Sequence, residues 1–409
     1  MKTVSIVQVA IGGYGGFYVS AYLDNDVPGI EVVGVVDPHP EGCERLDELK
    51  AANIPVFDSL DAFYAERGAD IAVLASPIQY HLPQTKTALA NGSHVLCEKP
   101  LGATVQEVGE MIAARDAAQL SVAIGYQKSF SIGIQQLKAD MMAGRFGAPR
   151  RLKTIALWPR AQGYYDRNNW AGKMRDSAGN WVLDSPANNA AAHYLHNMLY
   201  LLGPKVDRSA KPVAITAELY RANQISGFDT VATRIQTDCG AEILFYSSHA
   251  ADGGIYGPAF EFEFEEGLVT HISEGEMTAH SNGSIIETYG DVDSDICKIE
   301  DIVRVAREGG TPLCGPEAAG AHTLCINGMH ESMPEIQEFA PERIGEIYLD
   351  EERTPSQRVL EVAGLGDVMH SCFRNGMLPA EQGVEWAVAG NLIDISNYTN
   401  FPKDPAAFI

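Results

Sequence analysis

No stretch of this sequence approaches the roughly 20 consecutive apolar residues that cross a bilayer. Met1 to Val9 also lacks the basic start and apolar block of a secretion signal, so a cytoplasmic protein is expected. Paired cysteines are missing too. The seven present, at 43, 97, 239, 297, 314, 325 and 372, include no Cys-x-x-Cys, which indicates neither a zinc site nor a disulfide framework and suits a reducing compartment. Basic residues are few. Thirty Lys and Arg against 54 Asp and Glu leave a formal net charge of -24. That charge opposes contact with phosphate backbones and anionic lipid, so neither nucleic acid nor a membrane is an expected partner, and no metal site is indicated. Internal repeats and low-complexity linkers are lacking as well.

What is present is a chain of 409 residues, 45% of them hydrophobic, long enough to bury cores in two or more domains. Strands are predicted at 4–9, 30–36, 54–57, 71–75, 94–97 and 122–124, and helices near 15–24, 41–52, 59–66, 81–91 and 104–117. Their strict alternation predicts an α/β Rossmann fold, a doubly wound parallel sheet. Its binding crevice runs along the carboxyl ends of the strands, where Gly12, Asp37, Ser76 and Lys99 fall. After a helix near 131–143 the pattern changes. Strands near 150–158, 212–223, 229–237, 241–248 and 258–272, with hairpin turns such as Asp238-Cys239-Gly240, predict an α+β domain with a large, mostly antiparallel open sheet. Phe260, Phe262 and Phe264 alternate with glutamates, as in a strand with one wet face. The expected division is 1–128 for the dinucleotide-binding domain and 129–409 for a substrate-binding and oligomerisation domain. Helices near 296–308, 314–330 and 355–375 are not placed by the pattern, and those at the C-terminal end can pack back on the first domain.

The first turn reads Val9-Ala10-Ile11-Gly12-Gly13-Tyr14-Gly15-Gly16. A dinucleotide turn needs small residues where the backbone turns, where pyrophosphate approaches and where the helix packs on the strand. Two registers fit. Ala10-x-Gly12-x-x-Gly15 replaces the first glycine with alanine, whereas Gly13-x-Gly15-x-x-Tyr18 replaces the third with a bulky side chain, and the smaller departure favours the first. Asp37 ends the second strand at the distance expected of a carboxylate that accepts ribose hydroxyls. With no arginine immediately beside it, Asp37 favours NAD over NADP. Its alternative role is to cap a helix.

Three further elements carry chemistry. Ser76-Pro77-Ile78-Gln79-Tyr80-His81 follows the fourth strand, and His94-Val95-Leu96-Cys97-Glu98-Lys99-Pro100-Leu101 spans the fifth and its turn. Asp184-Ser185-Pro186-Ala187-Asn188-Asn189-Ala190-Ala191-Ala192-His193 reads as a helix start, with Ser185 as N-cap, Pro186 at the first helical position, and Asn189 and His193 on one face. Between them, the stretch from Trp158-Pro159-Arg160 to Trp181, with Tyr164, Tyr165, Arg167, Asn168, Asn169, Trp170 and Lys173, mixes aromatic faces with amides and cations. That mixture suits a polyhydroxylated ring, and it equally suits a packed connection or subunit contact. Tyr126 and Gln127 follow the sixth strand and border the nicotinamide end, while His249 and His322 read as structural.

Over about residues 4–272 these motifs resemble the glucose-fructose oxidoreductase / inositol dehydrogenase (Gfo/Idh/MocA) family, above all in Glu98-Lys99-Pro100. The resemblance implies that Lys99 lies near the nicotinamide and the reacting carbon, held by Glu98 and Pro100, and that His193 is the acid/base histidine. It also implies a dimer or tetramer. Ala10, Gly12, Gly13, Tyr14, Gly15, Asp37, Ser76, Pro77, His81, Glu98, Lys99 and Gln127 would contact NAD, and Lys99, Tyr126, Tyr165, Arg167, Asn168, Trp170, Asn189 and His193 the substrate. One departure stands out. Asn189 occupies the position of the family's aspartate, and an amide does not stabilise an imidazolium as a carboxylate does, so Asp184 becomes the candidate for the missing charge. The expected activity is NAD-dependent hydride transfer at a secondary alcohol of a sugar, cyclitol or glycoside. Two alternatives use the same residues: a redox-neutral glycoside-cleaving or eliminating enzyme with tightly held, recycled NAD, and a non-catalytic dinucleotide sensor.

Overall fold

The computed structural model describes residues 3–273, 275–290 and 295–408. Along the chain run β1 (Val4–Val9), α1 (Gly15–Leu23), β2 (Ile30–Val36), α2 (Leu46–Ala51), β3 (Val56–Phe57), α3 (Leu60–Glu66), β4 (Ile71–Leu74), α4 (His81–Ala90), β5 (His94–Cys97), α5 (Val105–Ala118) and β6 (Val122–Ile124). Next come α6 (Ile132–Met142), β7 (Pro149–Leu157), α7 (Gln162–Asp166), α8 (Ala192–Leu201), β8 (Pro212–Arg221), β9 (Thr230–Thr237), β10 (Glu242–Ser248), β11 (Tyr256–Phe264), β12 (Leu268–Ile272), β13 (Met277–Ser281) and β14 (Ser284–Tyr289). The remainder is α9 (Cys297–Glu308), α10 (Pro316–Ser332), β15 (Gln337–Glu338), β16 (Ile344–Tyr348), β17 (Arg358–Val362), α11 (Leu365–Asn375) and β18 (Ile393–Asp394). Among the described residues no helix is long and apolar enough to cross a membrane.

The chain divides into two compact units. The first takes the described residues of 3–102, 106–131 and 295–320. Its six parallel strands lie in the order β3-β2-β1-β4-β5-β6, so the chain switches direction across the sheet between β1 and β4. Strands buried on both faces read as near-continuous apolar runs, as Ile71–Leu74 does. One face carries Ile11, Val19, Val35 and Leu49. On the other, Val4, Ile6, Ile71, Val73, Leu96 and Ala123 pack against Ile299, Ile302, Val303 and Val305 of α9. That helix recurs apolar at i, i+3 and i+4 and stops at Gly309, whose φ of 79° is open to glycine.

The second unit takes the described residues of 103–105, 132–290 and 321–408. Its ten-stranded sheet runs β14-β13-β12-β11-β7-β10-β9-β8-β15, with β18 beside β8; most pairs are antiparallel, and β7 with β10 and β8 with β15 are parallel. The Asp238-Cys239-Gly240 hairpin forms as predicted, with Gly240 at φ 85°. Buried Lys138 crosses from α6 and donates from Nζ to the Tyr200 and Arg208 carbonyls at 2.6 and 2.7 Å, a cation at the C-terminal end of α8.

Several boundaries differ from the sequence reading. The predicted strand 258–272 is a hairpin, β11 and β12, because Glu265-Glu266-Gly267 turns the chain. The predicted helix 355–375 holds β17 before α11: Arg358–Val362 alternates like a strand, and Gly364, at φ 75°, marks the turn into the helix. Helix 41–52 shrinks to α2 behind a short 3₁₀ turn at Pro40–Gly42. Strand 54–57 shrinks to β3, since Pro55 lacks a ladder donor.

Candidate active site

The glycine-rich turn bends at Ala10 and Gly13. Ala10 adopts φ 59° and Gly13 φ 54°, so an alanine holds a left-handed position that glycine adopts freely. Gln8 Nε2 donates to the Val9 and Ala10 carbonyls at 2.9 and 3.0 Å and supports that bend. At Gly15 a Cβ would stand 2.2 Å from the Ala10 carbonyl oxygen, so only glycine lets α1 approach the end of β1. Gly13 has open space around it, and Gly12 borders Gly42. Asp37 ties this turn to β2, accepting the Ile11 N–H at 3.0 Å and the His39 N–H at 2.8 Å. These residues fit a dinucleotide: a bare-backbone turn opens α1 beside the β1/β4 switch, with a carboxylate at the end of β2.

The turns after β4 and β5 are joined by one side chain. Buried His81 has Nε2 2.8 Å from the Ser76 carbonyl and Nδ1 2.7 Å from the Pro100 carbonyl. Both contacts can be donated together only by an imidazolium, and burial lowers the His81 pKa, so the neutral ring donates one at a time. Ser76 Oγ donates to Gln84 at 2.5 Å. His81 thereby holds the Ser-Pro loop against the Glu-Lys-Pro turn.

Glu98 is buried and heavily bonded. Its Oε1 accepts the Tyr18 hydroxyl and the Lys298 ammonium, each at 2.6 Å, and its Oε2 accepts the Lys99 N–H at 3.1 Å. Burial would raise the carboxyl pKa; the Lys298 charge and hydrogen bond, the Tyr18 hydrogen bond and the Lys99 charge outweigh it and hold it below the usual carboxylate value. A Cβ at position 125 would meet Glu98 Oε1 at 2.6 Å, so Gly125 makes room for this carboxylate. Lys298 also donates to the Tyr14 hydroxyl at 2.7 Å and lies over the rings of Tyr14, Phe17 and Tyr18. Sequence reasoning missed Lys298. Its signal was a lysine on the apolar stripe of α9, one residue before Ile299 and four before Ile302.

In the second unit the predicted helix start at Ser185 is corrected. Residues 185–191 form successive turns and α8 opens at Ala192, so Asn189 lies ahead of the helix that carries His193. The cause is local competition. Asn188 Nδ2 donates to the Val182 and Leu183 carbonyls at 3.2 and 3.1 Å, and Asn189 Nδ2 donates to Asp184 Oδ1 at 2.9 Å. Asp184 Oδ2 accepts the Gly172 N–H at 2.6 Å, which fixes the carboxylate that orients the Asn189 amide. His193 is partly exposed in the first turn of α8. The helix ends before Gly203, where a Cβ would collide with the Arg208 carbonyl at 1.8 Å.

The aromatic and cationic segment packs as one cluster. The Arg167 guanidinium lies 3.6 Å from the Tyr164 ring centroid and donates to the Tyr164 carbonyl at 2.5 Å. Asn168 is a turn residue: its Oδ1 accepts the N–H groups of Trp170 and Ala171 at 3.0 and 2.7 Å, a local role where a substrate contact was expected. His249, read from sequence as structural, faces Tyr165 with Nδ1 3.3 Å from the hydroxyl. In the first unit Tyr126 is fully buried, which leaves it no surface to offer a substrate, while Gln127 beside it is partly exposed. Among the described residues no group of three or more His, Cys, Asp or Glu is placed to hold a metal ion.

Comparison with known proteins adds to this geometry. The oxidoreductase family with an NAD-binding Rossmann fold, Gfo/Idh/MocA, matches residues 7–126. Inositol 2-dehydrogenase 1 of Mycolicibacterium vanbaalenii is 31% identical over 180 residues, covering 43% of this chain and 50% of that protein. D-glucoside 3-dehydrogenase of Escherichia coli is 30% identical over 149 residues, covering 36% and 42%. The chain thus spans about half the length of the curated relatives it matches. Among solved structures, the WlbA dehydrogenase from Bordetella pertussis in complex with NADH and UDP-GlcNAcA aligns with a TM-score of 0.67 at 21% identity, over 82% of this chain and 97% of that one. The aldose-aldose oxidoreductase from Caulobacter crescentus aligns at 0.66 and 17% identity, over 80% and 97%. These likenesses extend the shared fold across both units.

Proposed function

We propose that this chain, whose residues 7–126 match the NAD-binding Rossmann fold of the Gfo/Idh/MocA oxidoreductase family, oxidises or reduces a secondary alcohol of a sugar, cyclitol or glycoside. The observation that carries this reading is the Glu98-centred network, which fixes the backbone of Lys99 just past β5. Bound NAD supplies the hydride acceptor at its nicotinamide.

The chain's own residues supply the rest. Gly12 and Gly13 would present bare backbone to the pyrophosphate, Gly15 lets α1 close on the end of β1, and Asp37 would accept ribose hydroxyls. Lys99 holds the substrate oxygen and stabilises the negative charge that develops on it. His193 accepts the hydroxyl proton during oxidation and returns it on reduction. Asp184 holds the Asn189 amide by its NH₂ group, which leaves the amide oxygen as the acceptor end. The names of the relatives, an inositol and a glucoside dehydrogenase, support a polyhydroxylated substrate.

The test is a spectrophotometric screen for NADH over sugars, inositols and glycosides, with mass spectrometry of any cofactor that co-purifies. Stoichiometric NADH supports the dehydrogenase. Release of sugar from a glycoside with no NADH would replace it with the redox-neutral reaction, and NAD binding without turnover on any substrate would leave a dinucleotide sensor.

A further inference from the structure

Arg160 has no carboxylate partner among the described residues of a strongly acidic chain. It follows β7, where the Arg160 N–H donates to the His249 carbonyl at 3.0 Å and prolongs the β7–β10 pairing. Its guanidinium lies 5.8 Å from the Trp158 ring centroid and 5.3 Å from that of Tyr164. Among the described residues it meets no carboxylate, and its Nε is buried with no hydrogen-bond partner. The chain carries 54 acidic residues against 30 basic ones, so a lack of available carboxylates does not explain this.

The second observation is His249, which is 2% exposed and whose Nε2 has no hydrogen-bond partner among the described residues. Burial, then the charges of Arg160 and Arg167, hold its pKa well below the usual imidazole value, so the ring is neutral. When the Tyr165 hydroxyl donates to Nδ1, the ring proton sits on Nε2 and makes it a donor. Arg167 lies on the Tyr164 ring and likewise has no carboxylate partner among the described residues. The nearby acids are engaged elsewhere: Asp184 with Gly172 and Asn189, Asp229 with Ala222, Asn223 and Thr230. A buried guanidinium N–H and a buried imidazole nitrogen left without partners carry a desolvation cost that an oxyanion would remove.

We infer that Arg160 and His249 form a subsite for an oxyanion, a carboxylate or a phosphate, carried by the substrate. Trp158, beside which the Arg160 guanidinium lies, packs its ring 5.8 Å from that of Tyr194, the residue after His193. The inference rests on the reading of the protein as an enzyme of sugars or cyclitols and narrows its substrate to an acidic member of that class.

The test titrates the full-length protein calorimetrically with D-glucose, D-glucuronate and D-glucose 6-phosphate, and repeats the titrations with Arg160→Gln and Arg160→Lys. At least one anion should bind about tenfold or more tightly than glucose, as a charge-assisted bidentate pair implies. Glucuronate reports a carboxylate site and glucose 6-phosphate a phosphate site. Arg160→Gln should erase the preference while Arg160→Lys keeps part of it, with near-ultraviolet circular dichroism showing that both variants fold. No preference for either anion, or a preference that survives in Arg160→Gln, overturns the subsite. NADH formation from neutral sugars without anion preference would sink this inference alone; anion preference without NADH on any substrate would sink the dehydrogenase reading alone.

Discussion

Lys298 and Glu98, separated by 200 residues in sequence, meet as a buried ion pair with Nζ 2.6 Å from Oε1. The same ammonium reaches Tyr14 in the glycine-rich turn, so one side chain from α9 links the cofactor turn to the turn that presents Lys99. Removing one partner leaves an uncompensated buried charge. Lys298→Met should therefore cost about 3–5 kcal/mol of stability. The double variant Glu98→Gln/Lys298→Met should recover part of that loss, as measured by denaturant unfolding. A single variant as stable as the wild type would show that the pair does not form in solution.

Acid should weaken the first unit through Glu98. Its folded pKa lies below the usual carboxylate value, so its contribution is complete above the pH at which an unfolded glutamate titrates, about 4.3. It is lost as pH falls through the folded value. Melting temperatures between about pH 3 and pH 6 should fall less steeply for Glu98→Gln than for the wild type. Parallel curves would remove Glu98 from the acid response.

The glycine-rich turn makes two opposite predictions. Gly15→Ala drives a Cβ against the Ala10 carbonyl and should abolish NAD binding and lower the melting temperature. Ala10→Gly relaxes a left-handed residue and should be neutral to stabilising by about 1 kcal/mol, with NAD affinity kept. A markedly destabilised Ala10→Gly would mean that the bend is not retained in solution.

Lys99→Ala and His193→Ala should each lower turnover by about a hundredfold or more, the usual contribution of a positioned acid/base or charge-stabilising group. NAD binding, followed by fluorescence titration, should change little. Normal turnover in both variants would refute their assignment to the chemistry.

Asn189→Asp would place two carboxylates where Asn189 Nδ2 and Asp184 Oδ1 now stand 2.9 Å apart. Like charges so close raise the pKa of one acid. A raised carboxyl stabilises the fold only while protonated, so the deficit in melting temperature relative to wild type should grow as pH rises from about 5 to 8. A deficit independent of pH would rule out the contact.

The parallel sheet, the glycine-rich turn after β1 and the Glu-Lys-Pro turn after β5 were legible in the sequence. Strand-helix alternation, glycine spacing and X-Pro turns are local signals that short stretches of chain carry by themselves. The same holds for the -24 charge. Only the tertiary structure brought Lys298 to Glu98 and set Arg160 beside His249. The start of α8 moved to Ala192 through short-range competition, the asparagines bonding to Asp184 and the 182–183 backbone. Which partners a buried residue such as Lys298 meets is decided by which distant segments pack together, and the local pattern does not name them.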